Sequence, residues 1–263
     1  MFAATSNAIV RALLAPMCAS CDQPLRTPLN GPICPSCWSG IELIGQPSCT
    51  VCGDALGATI GAAPDDRRCS RCRTGATAFD LARAAGTYSG GLRDMIHALK
   101  YRRRRMIAPH VSERMRREGA IVLVGADAVV PVPLHPWRQW QRGFNQADDL
   151  ARGLGLPVWR ALRRVRGGIP QANLPVDARQ ANAEGAYAVA WREQWRPQRW
   201  RRLEGATVVL VDDVLTSGAT LNACARVLRG AGARQVRALT AARAVAERPQ
   251  QFRQTPHPWT ARR

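Results

Sequence analysis

The rhythm of apolar and polar positions changes along the chain and divides it. Over residues 16–75 large apolar side chains are sparse, Gly, Pro and Cys recur every few positions, and no helical or strand period is sustained. Such a stretch cannot bury a core of its own. Thr77–Thr87 reads as a linker running into a strand, and Tyr88–Gly91 as a turn. Leu92, Met95, Ile96 and Leu99 share one face of a helix predicted over Leu92–Tyr101. Ala128–Leu134 (AVVPVPL) predicts a short strand ending in alternating prolines, followed by a loop over His135–Arg142. Gly143-Phe144-Asn145-Gln146 then opens a helix that runs through Leu154. Residues 167–187, with Gln171, Arg179, Asn182 and Gly185, show little periodicity and predict a long mobile loop. Thr207–Val211 is unbroken apolar sequence, the pattern of a strand buried on both faces of a parallel sheet. Leu221, Cys224, Ala225 and Leu228 mark a helix, Val236–Ala241 a further strand, and Glu247–Arg263 a disordered tail.

Strands and helices alternating over residues 80–245 predict an α/β fold with a mainly parallel sheet flanked by helices. The chain thus divides into an N-terminal segment (1–15), a small cysteine-rich module (16–75), an α/β domain (76–245) and a tail (246–263).

Charge changes the picture. Lys and Arg number 38 against 19 Asp and Glu, a formal net charge of +19. Such a field attracts nucleic acid, anionic lipid or phosphorylated small molecules, although diffuse surface charge is the competing reading. Lys100 is the single lysine. Codon bias explains arginine over lysine but not the shortage of acids. Arg102–Arg105 reads either as a solvated helix end or as a phosphate-backbone contact. Trp137, Trp140, Trp191, Trp195 and Trp200 interleave with arginines, which suits stacking of single-stranded bases or packing at a rim. The longest apolar stretch, Ala120–Leu134, is broken by Asp127, Pro131 and Pro133 and is too short to cross a bilayer. The opening MFAATSNAIVRALLAPMC lacks a basic cluster at its start and is interrupted by Arg11, so it reads as the leading segment of a cytoplasmic protein.

Eight of the nine cysteines form C-x-x-C pairs: Cys18/Cys21, Cys34/Cys37, Cys49/Cys52 and Cys69/Cys72. Each such turn offers two thiolates, and two turns complete the four that a tetrahedral Zn²⁺ needs. The module therefore reads as two zinc ribbons, with sequential or interleaved pairing both open. A thioredoxin-like site would need one such pair in a βαβ setting, and a disulfide framework an exported chain. Four thiolates leave no open position for substrate, so the metal is structural.

The richest chemistry lies in Val208–Thr220, VVLVDDVLTSGAT. Four apolar residues place Asp212 and Asp213 at the carboxyl end of a central strand, where open α/β sheets bind ligands. Leu215–Thr220 is a small-residue loop opening a helix, a ready cradle for phosphate. Carboxylates for a sugar diol beside a phosphate cradle suit a ribose 5-phosphate. The strand also resembles a Walker B element, but the only lysine, Lys100, lies in HALKY and not in a glycine-rich loop. A dinucleotide fold fails because Gly153-Leu154-Gly155 lacks the third glycine and a preceding strand. Of the isolated residues, His97 reads as packing or capping, Cys224 as a buried thiol, and His135 is open between a structural and a chemical role.

These features occur in a particular order: the paired cysteines, HALKY (His97–Tyr101), VPVPLH (Val130–His135), RGFNQA (Arg142–Ala147), Gln171 through Arg179, Asn182, Gly185-Ala186-Tyr187, then VVLVDDVLTSGAT. In that order they resemble the ComF family, double zinc ribbon competence proteins with a type I phosphoribosyltransferase domain. The resemblance implies that Asp212 and Asp213 bind the ribose hydroxyls of phosphoribosyl pyrophosphate (PRPP), directly or through Mg²⁺. It also implies that Thr216, Ser217, Gly218, Ala219 and Thr220 hold the 5-phosphate. Arg138 and Arg142 would supply charge to the pyrophosphate, and Arg179 would sit in a hood over the site. The implied reaction transfers phosphoribosyl to an unidentified acceptor. The implied setting is natural transformation, with single-stranded DNA, a competence helicase or a DNA-processing protein as partner. A site that senses PRPP without turnover is the alternative.

Overall fold

The computed structural model describes residues 2–56, 67–75, 77–165, 185–190 and 203–244. Arg179, Gln171, Asn182, Trp191, Trp195, Trp200 and the segment 247–263 lie outside them. Helices α1 (Phe2–Leu14), α2 (Pro35–Ser39) and α3 (Ser70–Arg73) belong to the N-terminal part. Then follow β1 (Leu81–Ala84), α4 (Gly90–Tyr101), α5 (Ala108–Glu118), α6 (Ala120–Leu123) and β2 (Ala128–Pro131). After these come α7 (Pro136–Arg142), α8 (Gln146–Arg152), β3 (Leu162–Arg164) and β4 (Tyr187–Val189). The last elements are β5 (Thr207–Leu215), α9 (Ala219–Gly230) and β6 (Gln235–Arg243).

The main sheet has the order β1-β6-β5-β2 with every pair parallel, and β3 and β4 form a small antiparallel pair beside it. Side chains alternate across a strand, so β5 feeds two cores. Val208 and Leu210 join Leu221, Cys224 and Leu228 of α9 on one face. Val209 and Val211 join Leu92, Met95 and Leu99 of α4, Val111 of α5 and Leu150 of α8 on the other. Each fully buried Val or Leu contributes on the order of 1.5–3 kcal/mol, which explains why the strand reads as one apolar run.

Both sheet edges are covered. The Ala82 N–H of β1 donates to Val51 O at 2.7 Å, so the second cysteine hairpin closes the edge that β6 leaves open. At the far edge, Val129 of β2 exchanges main-chain bonds with Pro157 and Trp159 at 2.9 Å. The first cysteine hairpin seats on α4, where Gly91 N–H donates to Gly40 O at 3.1 Å. A Cβ at Gly91 would stand 2.0 Å from Cys37 O, so only glycine allows this approach.

Three expectations change. His135–Arg142 is not a loop but contains α7: His135 caps it, its Nδ1 accepting from Trp137 N–H at 3.2 Å, Pro136 occupies the first turn, and Gly143 closes it at φ +78°. Those capping signals outweighed the missing apolar period of an exposed helix. The strand expected to stop at Val211 runs on to Leu215, because β6 continues the ladder beside it, Asp212 pairing with Thr240 and Leu215 with Arg243. Arg102–Arg105 is tied down locally. Arg102 and Arg104 meet Asp22, Arg103 donates to Gln141 O at 2.7 Å, and Arg105 grips Asp149 with two bonds of 2.7 Å. Of the isolated residues, His97 is exposed with its ring 4.7 Å from Tyr101, and Cys224 is buried. Among the described residues no helix is long and apolar enough to cross a membrane.

Candidate functional site

A cavity of about 280 Å³ opens over the carboxyl ends of β5 and β2. Asp212 and Asp213 stand side by side in it, and the pleat sends them to opposite faces of the sheet. Asp213 turns toward α4 and α8. Lys100 Nζ approaches its Oδ1 at 2.6 Å, and Gln146 Nε2 donates to its Oδ2 at 2.6 Å. Asp212 turns toward α9, and its Oδ1 accepts from the main-chain N–H of Asp213 at 2.8 Å. Burial first, and then the neighbouring Asp213, push the Asp212 carboxyl up to about 7, against the lowering effect of that N–H and of Lys100.

Past Leu215 the chain turns into α9 through Gly218, whose φ of +80° is the left-handed conformation that favours glycine. Thr216, Gly218 and Thr220 line the cavity at the N-terminal start of α9. Ser217 and Ala219 do not line it. Ser217 faces the second cysteine module, where its carbonyl accepts from Arg71 at 3.0 Å, and Ala219 is buried in the core. The opposite wall is cationic and aromatic: Arg138 and Arg142 from α7, Arg164 from β3, Tyr101 from α4 and Tyr187 from β4. Arg142 lies 5.3 Å over the Tyr101 ring and also donates to Gln146 Oε1 at 3.1 Å. Burial lowers the Arg138 pKa, and the nearby Arg142 and Arg164 lower it further.

The sequence reading therefore finds Asp212, Asp213, Thr216, Gly218, Thr220, Arg138 and Arg142 around one cavity, and it misses Lys100, Gln146, Arg164 and Tyr187. One signal pointed to Lys100. A lone lysine where every other cation is arginine marks a position that needs a compact ammonium.

The eight paired cysteines gather into two sets, Cys18/Cys21/Cys34/Cys37 and Cys49/Cys52/Cys69/Cys72, so the pairing is sequential. A Zn–S bond of about 2.3 Å sets tetrahedral S···S separations near ~3.8 Å. The sulfurs of Cys18 and Cys37 lie 4.0 Å apart, those of Cys21 and Cys34 3.8 Å, and those of Cys52 and Cys69 3.6 Å. Main-chain N–H groups also aim at sulfur, Cys34 to Cys18 at 3.2 Å and Cys69 to Cys49 at 3.3 Å. Burial opposes thiolates in both sets, yet such N–H donors hold Cys18 and Cys49 down at about 7. The donor sets fit zinc.

The second set is wired to the cavity. Arg243, buried at the end of β6, donates to Cys52 O at 2.7 Å and to Asp54 Oδ1 at 2.8 Å. Arg71 lies between Cys69 and Cys72 and holds Ser217.

Residues 9–73 match the double zinc ribbon domain, and residues 141–253 the phosphoribosyl transferase domain. Competence protein F of Haemophilus influenzae is 29% identical over 239 residues, spanning 86% of this chain and 96% of its own. DNA utilization protein YhgH of Escherichia coli is 32% identical over 234 residues, 84% of this chain and 94% of its own. Competence protein ComFC of Bacillus subtilis is 33% identical over 100 residues, 38% of this chain and 37% of its own. With both domains in the same order and a relationship that runs almost end to end, the chain belongs to the family of competence protein F and DNA utilization protein YhgH.

Proposed function

We propose that the cavity binds PRPP and transfers its phosphoribosyl group to a nitrogen acceptor. The observation that carries this is the order of charge across one cavity: a helix start, then carboxylates, then arginines. In this reading Thr216, Gly218, Thr220 and the α9 N–H groups take the 5-phosphate. Asp212, ionised, faces the ribose hydroxyls, while Arg138, Arg142 and Arg164 face the pyrophosphate. Mg²⁺ bound with the ligand would be held by Asp212 and would neutralise the leaving pyrophosphate. The C1–O bond breaks with its electron pair going to pyrophosphate, and the acceptor nitrogen forms the C1–N bond and loses its proton. Positive charge develops on the ribose ring in between, where the fixed Asp212 carboxylate stabilises it. Calorimetry with PRPP and Mg²⁺ should show saturable binding, and a panel of nucleobases and amines should reveal one that releases pyrophosphate. Binding without release from any acceptor would leave a PRPP sensor in place of an enzyme.

A second reading adds DNA, the material named for the YhgH relatives. Trp137 and Trp140 on α7 are 60% and 82% exposed beside Arg138. Exposed rings next to cations offer stacking and phosphate contacts to a single strand. Oligonucleotide binding should fall steeply as salt rises, and Trp140→Ala should weaken it by about 1–3 kcal/mol. No binding at low salt removes this reading.

A further inference from the structure

Lys100 stands in the last turn of α4 on the cavity wall, its side chain 16% exposed. An ammonium has three protons to donate, and Asp213 takes one. Burial works against its charge, but Asp213, and behind it Asp212, more than offset this and raise its pKa. Asp213 in turn has both oxygens engaged, by Lys100 and by Gln146, and Gln146 is tied to Arg142. Asp213 is thus a counter-ion, with a protein donor on each oxygen, whereas the second carboxylate oxygen of Asp212 has no donor among the described residues. The two faces of β5 divide accordingly. Asp212 shares its side with α9, the Thr216–Thr220 loop and the β3–β4 pair that carries Arg164, while Lys100 shares the other with Gln146, to which Arg142 is bonded.

We infer that Lys100 is a ligand-binding residue whose ammonium, set in place by Asp213, grips a pyrophosphate oxygen of bound PRPP. Asp213 is then a positioning residue. The inference rests on the reading of the cavity as a PRPP site. A compact point charge suits a gap between one carboxylate oxygen and one phosphate oxygen, where a planar guanidinium would demand a fork of acceptors.

The test uses the full-length, zinc-loaded protein and calorimetry with three probes: PRPP with Mg²⁺, inorganic pyrophosphate with Mg²⁺, and ribose 5-phosphate. In Lys100→Met the first two should weaken by on the order of tenfold to a hundredfold, with ribose 5-phosphate changed by less than about twofold. Equal weakening of all three, or none, overturns the inference. A wild type that binds no PRPP overturns the reading of the cavity itself, whereas a wild type that binds and a variant that binds equally well overturn only the role of Lys100. Should Lys100→Met fail to fold, Lys100→Gln carries the same comparison. Asp213→Asn adds a readout that packing alone would not move. Without its counter-ion the Lys100 pKa falls, so pyrophosphate affinity should fade at a lower pH than in wild type. Superimposable pH profiles would remove the positioning role of Asp213.

Discussion

On the proposed reading of the cavity, Cys49→Ser should abolish zinc at the second ribbon and take PRPP affinity with it, whereas Cys21→Ser should cost stability but leave much of that affinity. The difference follows from where each ribbon is attached. Cys49, Cys52 and Cys72 lie in the same apolar cluster as Leu215, Ala219 and Leu221, the residues that carry the loop into α9. Arg243 is buried at 2% exposure, pairs in the β6–β5 ladder with Leu215, and satisfies its guanidinium on Asp54 and on the carbonyl of Cys52. If the hairpin opens, a buried cation loses its partners, a change on the order of 3–5 kcal/mol. Arg71 withdraws from Ser217 at the same time. A structural zinc is itself worth on the order of 10–16 kcal/mol, as much as the whole stability of many domains. The first ribbon instead packs Ala19 and Ile41 into the core on the α4 side of the sheet, the face away from α9 and its loop, and its Asp22 pairs with the arginine run are exposed and contribute little. Metal content, thermal unfolding and PRPP calorimetry on the two variants decide the matter. A Cys49→Ser protein that has lost zinc yet binds PRPP as wild type does would break the link between ribbon and loop.

What the chain disclosed beforehand, and what it withheld, has a physical pattern. Val208–Val211 was legible because burial on both sheet faces admits nothing but apolar residues there. The cysteine pairs were legible because a knuckle needs its spacing, yet whether the pairs combine in sequence or interleave depends on how hairpins fold back, which spacing does not encode. Helix α7 was hidden because Trp137 and Trp140 face outward and leave no apolar stripe, although His135, Pro136 and Gly143 mark its ends. Lys100 and Gln146 were hidden for another reason. They come from α4 and α8, far apart along the sequence, and only the packing of both helices on one face of the sheet brings them to Asp213.

Asp212→Asn should act in two directions at once, making the ligand-free protein more stable and the site unable to bind. Burial and the adjacent Asp213 raise the folded-state pKa of Asp212 to about 7, against about 3.9 for an unperturbed aspartate. Between those two values the folded chain keeps a proton that the unfolded chain has released, so stability falls as pH rises across the window and stays low above it. Asparagine keeps the shape and carries no charge. Its advantage over wild type should be near zero at pH 4, grow through pH 5 to 7, and level off at on the order of 2–4 kcal/mol. For a chain of this size that is several degrees in melting temperature. Comparing the two proteins at each pH cancels the acid-induced loss of zinc, which both share. If the cavity takes PRPP and Mg²⁺ as proposed, they would need the ionised carboxylate, so wild-type affinity should climb as pH rises through about 7, the range in which the ligand-free fold is losing ground. Equal stability of variant and wild type at pH 5 and pH 8 would show that Asp212 stores no such strain. If the strain is there, a cation bound as proposed would relieve it: the carboxylate that costs the empty fold most would be the one that meets the ligand, and the cost would become binding energy.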